Sequence, residues 1–435
     1  MQSSLRKLSS TFIIASLLRL SFTDVRVQSA ALDRSSEAAE AAITNPREEC
    51  TPYGYAPVYT QLNKFPEVWE AASILPNDQA ARAKWNSISG SIPTNIPVKS
   101  LYPFWSTNFL YLTLFFTITV STYCWWTYDL CTTPKLAGLA PDITAAPEPL
   151  TLGYGFDDGP NCSHNIFYDY LESQNQKATF YFIGSNVADW PLEAQRALVD
   201  GHEICAHTWS HPYMTTFTSE DAFAELWYSM QMIKLVVGVT PTCWRPPYGD
   251  VDDRIRSIAK GLGLQTIMWK YDSEDADVDG SDITHKTVVR KYNDFIKTAE
   301  SGTFNSGGAI FLTHELNNFT MSTAVDFYPQ LKSVFKHLVP VGVSLNKTRP
   351  YVETNYALPT FEQYISGTLT VNSNIRILPN SSSSTSSSTS SDATLPSSSN
   401  TASVTTTSSN AASAMNMGRE NVLFLLSLGL IYSMF

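Results

Sequence analysis

An α/β fold with a parallel sheet or barrel is what the sequence predicts, and three observations predict it. From about Ile143 to Tyr364, short apolar runs alternate with longer amphipathic stretches, the strand-then-helix order of parallel sheets. Apolar residues fill 43% of the 435 positions and aromatics 12%, enough for a large core and too many for a disordered chain. Chemically loaded residues fall just past the strand-like runs, where α/β barrels carry their sites.

In order, strand-like runs are Leu150–Phe156, Ala178–Ile183, His202–Ala206, Gln265–Trp269 and Ala309–Leu312. Between them helical spacing predicts His164–Ser173, Leu192–Val199, Ser219–Val236, Asp252–Ala259, Ile283–Thr298 and Thr323–Leu338. Thr218 to Asp221 and Asp250 to Asp253 supply capping residues for two of these helices. No internal repeat is present. Upstream, residues 30–142 read as an irregular extension, Pro-interrupted from Thr51 to Pro97. Ser100 to Tyr128 then carries no charge at all, and Asn108 to Trp126 is long enough to cross a membrane. A crossing would leave the downstream chain on the wrong side for its other signals. Aromatic packing on the main domain and retained intron sequence are the two other readings of this stretch.

Both ends carry addresses. Arg6 and Lys7 precede an apolar run, and Val27-Gln28-Ser29 offers a cleavage site, so 1–29 is predicted to be a secretory signal. Residues 366–412 end in a Ser/Thr-rich stalk, predicted to be disordered and typical of O-glycosylation. Asn410-Ala411-Ala412, a spacer and the tail Val422 to Phe435 follow. That order matches a glycolipid-anchor signal, with 413–435 removed on attachment to the membrane; the tail is shorter than the roughly 20 residues of a span. Sequons stand at Asn161, Asn318, Asn346 and Asn380. On a secretory route the 6 cysteines are free to pair, in any of roughly 15 ways, and no CxxC suggests a zinc knuckle. A net charge of −11 gives no electrostatic reason to bind nucleic acid.

Gly155-Phe156-Asp157-Asp158-Gly159-Pro160 places two carboxylates past a strand end. Neighbours on an extended chain point apart, so one Asp can hold a metal while the other faces a substrate water. Two of the 7 histidines frame His207-Thr208-Trp209-Ser210-His211, and with a carboxylate they make a two-His, one-Asp set with open positions for zinc or a similar cation. In Arg245-Pro246-Pro247-Tyr248 the prolines stiffen the loop. Arg245 is then free to grip a carboxylate through two hydrogen bonds, and the Tyr248 amide to serve an oxyanion. Asp272 to Asp275 and Thr313-His314 each follow a strand; an Asp–His pair would raise the pKa of His314 and let it protonate a leaving group. Trp209 and Tyr213 are candidates for stacking on a sugar, or for packing.

Together these segments resemble the polysaccharide deacetylase family (carbohydrate esterase family 4), over roughly residues 145–345, and within it fungal chitin deacetylases. The resemblance implies a distorted (β/α) barrel over 143–365. It implies Asp157 as catalytic base and substrate-facing group, and Asp158, His207 and His211 as ligands of a divalent metal, zinc or cobalt. Arg245 would orient the base, Tyr248 would supply the oxyanion-binding amide, His314 would be the acid, and Asp275 would tune it. Chitin or a related N-acetylglucosamine polymer is the implied substrate; acetylated xylan, peptidoglycan and an inactive carbohydrate-binding wall protein are the alternatives. Gly155 stands where the family usually has Thr, and Ala276 where an aromatic commonly lines the cleft.

Overall fold

The computed structural model describes residues 32–100, 122–278 and 282–368. The predicted signal, the stalk beyond its first residues, the anchor tail, Asn380 and 101–121 of the uncharged stretch lie outside the described residues. Among the described residues, no helix is long and apolar enough to cross a membrane.

Among the described residues, nine strands form two parallel sheets: β1 (Thr151–Gly153), β2 (Gly155–Gly159), β3 (Thr179–Phe182), β4 (Glu203–Ala206), β5 (Cys243–Trp244), β6 (Gln265–Thr266), β7 (Tyr271–Asp272), β8 (Ala309–Leu312) and β9 (His337–Val339). One sheet runs β2-β3-β4-β5-β6, the other β7-β8-β1-β9. β1 and β2 are one strand path turned at Tyr154, whose N–H donates to Val339. The first half pairs with β8 and β9, the second with β3. A parallel bridge from Asp157 to His314 ties the second half to the end of β8 as well. The path is therefore shared by both sheets and closes the barrel on that side. β6 and β7 are joined by Ile267–Lys270 but do not pair with each other among the described residues, which leaves the barrel distorted, as expected.

Residues of β3 and β4 are buried throughout. That is why Thr179-Phe180-Tyr181-Phe182 reads as a continuous run rather than an alternating one. Gly155 fits the same tight packing: a Cβ there would sit 2.6 Å from the Thr179 carbonyl oxygen, so β2 and β3 approach too closely for threonine. The helix Ser219–Val237 starts at the Thr218 cap and stops at Gly238, φ 85°. In the second predicted capping cluster only Asp252 caps, accepting from the Ile255 N–H at 3.0 Å. The predicted helix Thr323–Leu338 divides in two. Its helix is Asn318–Val334, capped by Asn317, whereas Phe335 turns extended and His337–Val339 becomes β9. That end completes a sheet edge by pairing with β1, which helix periodicity cannot reveal.

The extension is not separate from the barrel. Its helices Glu37–Ala41, Ala56–Tyr59 and Gln79–Ile88 pack on the barrel helices Pro191–Val199 and Ser219–Val237. Tyr55, Val58, Ile74, Ala81 and Ile88 belong to the same hydrophobic core as Phe180 and Trp244. Cys50–Cys162 fastens the extension to the segment after β2, while Cys124–Cys131 and Cys205–Cys243 complete the pairing.

Candidate metal centre and active site

The two carboxylates converge because β2 is irregular where they lie. The register with β3 shifts between Asp157 and Gly159, and Asp158 sits at φ 73°. A regular strand would send the pair to opposite faces; the bulge turns Asp158 back toward the mouth. Both then approach one atom, His207 Nε2, which is 3.8 Å from Asp157 Oδ2 and 3.3 Å from Asp158 Oδ1. The divergence expected of an extended segment is thus corrected by one left-handed residue.

His211 Nε2 lies 3.1 Å from the same Asp158 oxygen. The 207–211 segment is a loop rather than a helix, with Thr208 and His211 both left-handed at φ 67° and 60°. Glu225, fully buried on the long helix, holds this loop. Its carboxylate accepts from the Trp209 and Ser210 amides at 2.9 Å each and from the Ser210 hydroxyl at 2.8 Å. It also accepts from the Ala72 amide of the extension at 2.8 Å. Nothing in the sequence around Glu225 marks it, because its partners lie far away along the chain.

The donor set fits a divalent cation. His207 Nδ1 lies 2.7 Å from the Arg245 carbonyl; donating there, the neutral ring keeps its lone pair on Nε2. That lone pair faces Asp158 Oδ1, a buried oxygen with no hydrogen-bond partner among the described residues. The three ligand atoms lie within 4.8 Å of one another. Acceptors aimed at one another are what a cation between them resolves.

Asp157 is gripped from the other side. Arg245 Nη1 donates to its Oδ1 at 2.6 Å. The fork is not bidentate on the carboxylate as expected, since Nη2 reaches the Tyr181 hydroxyl at 3.3 Å and Nε the Ile267 carbonyl at 3.4 Å. The guanidinium lies 4.0 Å over the Tyr181 ring, so Tyr181 is a partner that sequence reading missed. Across the mouth, His314 Nδ1 lies 2.6 Å from Asp275 Oδ1, which also accepts from Ser273. Burial lowers the pKa of His314, but Asp275, then Asp158 and Asp157, outweigh it and push the value up to about 10. Beside it, Glu315 accepts from the Asn161 amide at 2.9 Å and the Tyr168 hydroxyl at 3.1 Å. It faces His164 at 2.8 Å. Burial raises Glu315 to about 8 and lowers His164 to about 3, so neither pays the full cost of a lone buried charge.

Tyr248 is left-handed at φ 56° and 49% exposed. Its ring stacks on Tyr213 at 4.1 Å and meets His211 edge-on at 4.7 Å. Trp209, by contrast, is fully buried and stacks on Phe65 of the extension at 5.9 Å. It is packing, not a sugar platform. Every sequence-predicted site residue (Asp157, Asp158, His207, His211, Arg245, Tyr248, Asp275 and His314) is thereby brought to one end of the barrel.

Residues 146–267 match the family model described as polysaccharide deacetylase. The chain is 46% identical over 346 residues to "Chitin deacetylase 2" of Cryptococcus neoformans var. grubii, covering 78% of this chain and 74% of that one. It is 43% identical over 313 residues to "Chitin deacetylase" of Amylomyces rouxii, covering 71% and 73%. Among solved structures, the chitin deacetylase of Colletotrichum lindemuthianum aligns with 49% of this chain and 96% of its own, at 24% identity and a TM-score of 0.45.

Proposed function

This chain belongs to the polysaccharide deacetylase family, and from that premise we propose that it hydrolyses the N-acetyl groups of chitin to acetate and free glucosamine units. The observation that carries the reading is the unpaired Asp158 oxygen facing two imidazole nitrogens, with Asp157 and His314 on either side. Members of the family are divalent-metal enzymes, and zinc or cobalt suits a two-His, one-Asp set. When bound there, the cation supplies polarisation of the acyl carbonyl and acidification of a water.

The chain's own residues supply the rest. Asp157, held by Arg245, takes the proton of the attacking water. The Tyr248 amide, on its left-handed turn, donates to the oxygen on which negative charge develops. His314, kept protonated by Asp275, gives a proton to the departing amine. The substrate assignment is supported by the names of the fungal relatives. We further propose that the protein is secreted and held at the outer face of the plasma membrane and in the cell wall by a glycolipid anchor. The N-terminal signal, the anchor-like tail and three disulfides support that route.

The test is acetate release from chitin oligomers by the purified secreted protein, with chelator and with zinc or cobalt restored. Release that chelator stops and metal restores supports the assignment. Release from acetylated xylan or peptidoglycan fragments in place of chitin would redirect the substrate. No release from any of them, with metal bound, would leave a carbohydrate-binding protein.

A further inference from the structure

The region around residues 122–142 lies outside the part of the chain matched by the family model, yet it is fastened to the active site's rear wall. Asp253 Oδ2 accepts from the amides of Cys124, Lys135 and Leu136 at 3.2, 2.9 and 3.1 Å. Arg256 donates to the carbonyls of Cys124 and Cys131 at 2.9 Å each, bracing both ends of the Cys124–Cys131 disulfide loop. These charged groups open the helix that follows Asp250; besides one contact with each other at 3.5 Å, these bonds go to the loop, and Arg256 also grips Asp142 at 2.9 and 2.6 Å.

Asp250, 1% exposed, ties two other segments to its own. Its Oδ1 accepts from the Trp125 indole at 3.1 Å and the Thr127 hydroxyl at 2.6 Å. Its Oδ2 accepts from the Thr215 amide and hydroxyl, both at 2.8 Å. Thr215 lies two residues beyond Tyr213, and Asp250 two beyond Tyr248, so the stacked tyrosines are anchored through one carboxylate to the loop.

Trp126 then touches the machinery's supports directly. Its amide donates to Val251 at 3.0 Å. Its indole covers Gly249 so closely that a Cβ on that glycine, which sits at φ +69°, would collide with the ring. Gly249 follows the residue whose amide serves the oxyanion. On its other side the indole lies 5.0 Å from the Trp269 ring, and Trp269 lies 5.6 Å beneath the Arg245 guanidinium.

We propose that Trp126 is a positioning residue for the deacetylation, holding the Tyr248 turn through Gly249 and Arg245 through Trp269. The proposal rests on the deacetylase reading above and adds to it an element from the extension. Gly249 has no side chain with which to keep its own place, so a planar ring laid on it fixes the turn. An error of about 1 Å in such a turn costs on the order of 100-fold in rate.

The test compares Trp126→Leu with Trp126→Phe in the full secreted chain, reading acetate release from chitin oligomers alongside zinc content and circular dichroism. Leucine replaces the apolar contact, while only an aromatic ring keeps the plane. The expected result is a kcat about 10- to 100-fold lower for the Leu variant with KM within about 3-fold, zinc content unchanged and kcat largely restored by Phe. Asp250→Asn supplies an independent perturbation with the same expected split, and Leu130→Ala, an exposed position of the same loop, should leave kcat unchanged. Equal kcat in wild type and both the Leu and Asn variants overturns the proposal, as does a loss confined to KM or to zinc content. Wild-type protein that releases no acetate overturns the deacetylase reading instead, and the positioning role with it.

Discussion

Replacing Asp157 with Asn separates the two carboxylates by function. The substitution keeps the shape of the side chain and removes its charge and proton affinity. Arg245, 1% exposed, then loses the anion that meets its Nη1 at 2.6 Å and keeps neutral acceptors: the new amide oxygen, the Tyr181 hydroxyl and the Ile267 carbonyl. Breaking a buried ion pair by removing one partner costs about 3–5 kcal/mol. The retained amide oxygen offsets part of that, so a loss near 3 kcal/mol in denaturant unfolding is expected. Turnover should fall by at least about 10²- to 10⁴-fold, the usual contribution of a positioned base. Zinc binding should survive, because Asp158, His207 and His211 converge on one another while Asp157 stands 3.8 Å from the nearest imidazole nitrogen. Isothermal titration with zinc, acetate release and urea unfolding measure the three quantities separately. A variant that turns over like wild type refutes the role of base; one that no longer binds zinc refutes the division of labour and makes Asp157 a ligand.

Glu225→Gln should weaken zinc binding about 10- to 100-fold by titration, because an amide NH₂ cannot accept from the Trp209, Ser210 and Ala72 donors that the carboxylate gathers. In the metal-free protein His314 should stay protonated beyond neutrality, toward its raised value of about 10, as read from its imidazole resonances by NMR. The sign follows: its stabilisation is complete below its unfolded pKa of about 6.5 and is lost as pH rises through the folded value. Asp275→Asn should flatten that alkaline loss, and added zinc should lower the titration by screening Asp158 and Asp157. Replacing Cys50 and Cys162 by Ser opens a link between residues 112 apart. The expected cost is about 4–5 kcal/mol in the loop-entropy account, seen as a lower urea midpoint and as proteolysis of 33–100 before the barrel.

What the sequence makes legible is local. Each motif stands within a few residues of itself and past a strand end, so Asp157, Asp158, His207, His211, Arg245, Asp275 and His314 can be read without coordinates. The long strands and helices are legible for the same reason, since Thr179–Phe182 and Ser219–Val237 carry their own periodicity and caps. What is lost is whatever depends on partners distant in sequence. β5 and β7 are two residues long, too short to show a period, whereas β6 falls inside the run Gln265–Trp269 that the sequence offers. β9 exists only because β1 lies beside it. Glu225, Tyr181 and Asp250 earn their roles from hydrogen bonds and ring contacts to residues remote along the chain, which no motif spacing records. The bulge at Asp158 is a subtler case: Asp-Asp-Gly-Pro announces a turn, but not that the turn swings a carboxylate back toward its neighbour.

The strand path shared by both sheets has a bearing on how the protein is made. Its first half is flanked by β8 and β9, the last strands to leave the ribosome, while Glu225 must be synthesised before the Ala72 amide finds its acceptor. The polypeptide therefore emerges with its earliest hydrophobic surfaces waiting for partners more than a hundred residues behind. No shortened translation product ending before His337 can complete the barrel around Asp157. Until the C-terminal third is made, His314 and the two strands that flank β1 are missing, so the order of synthesis alone keeps the site incomplete.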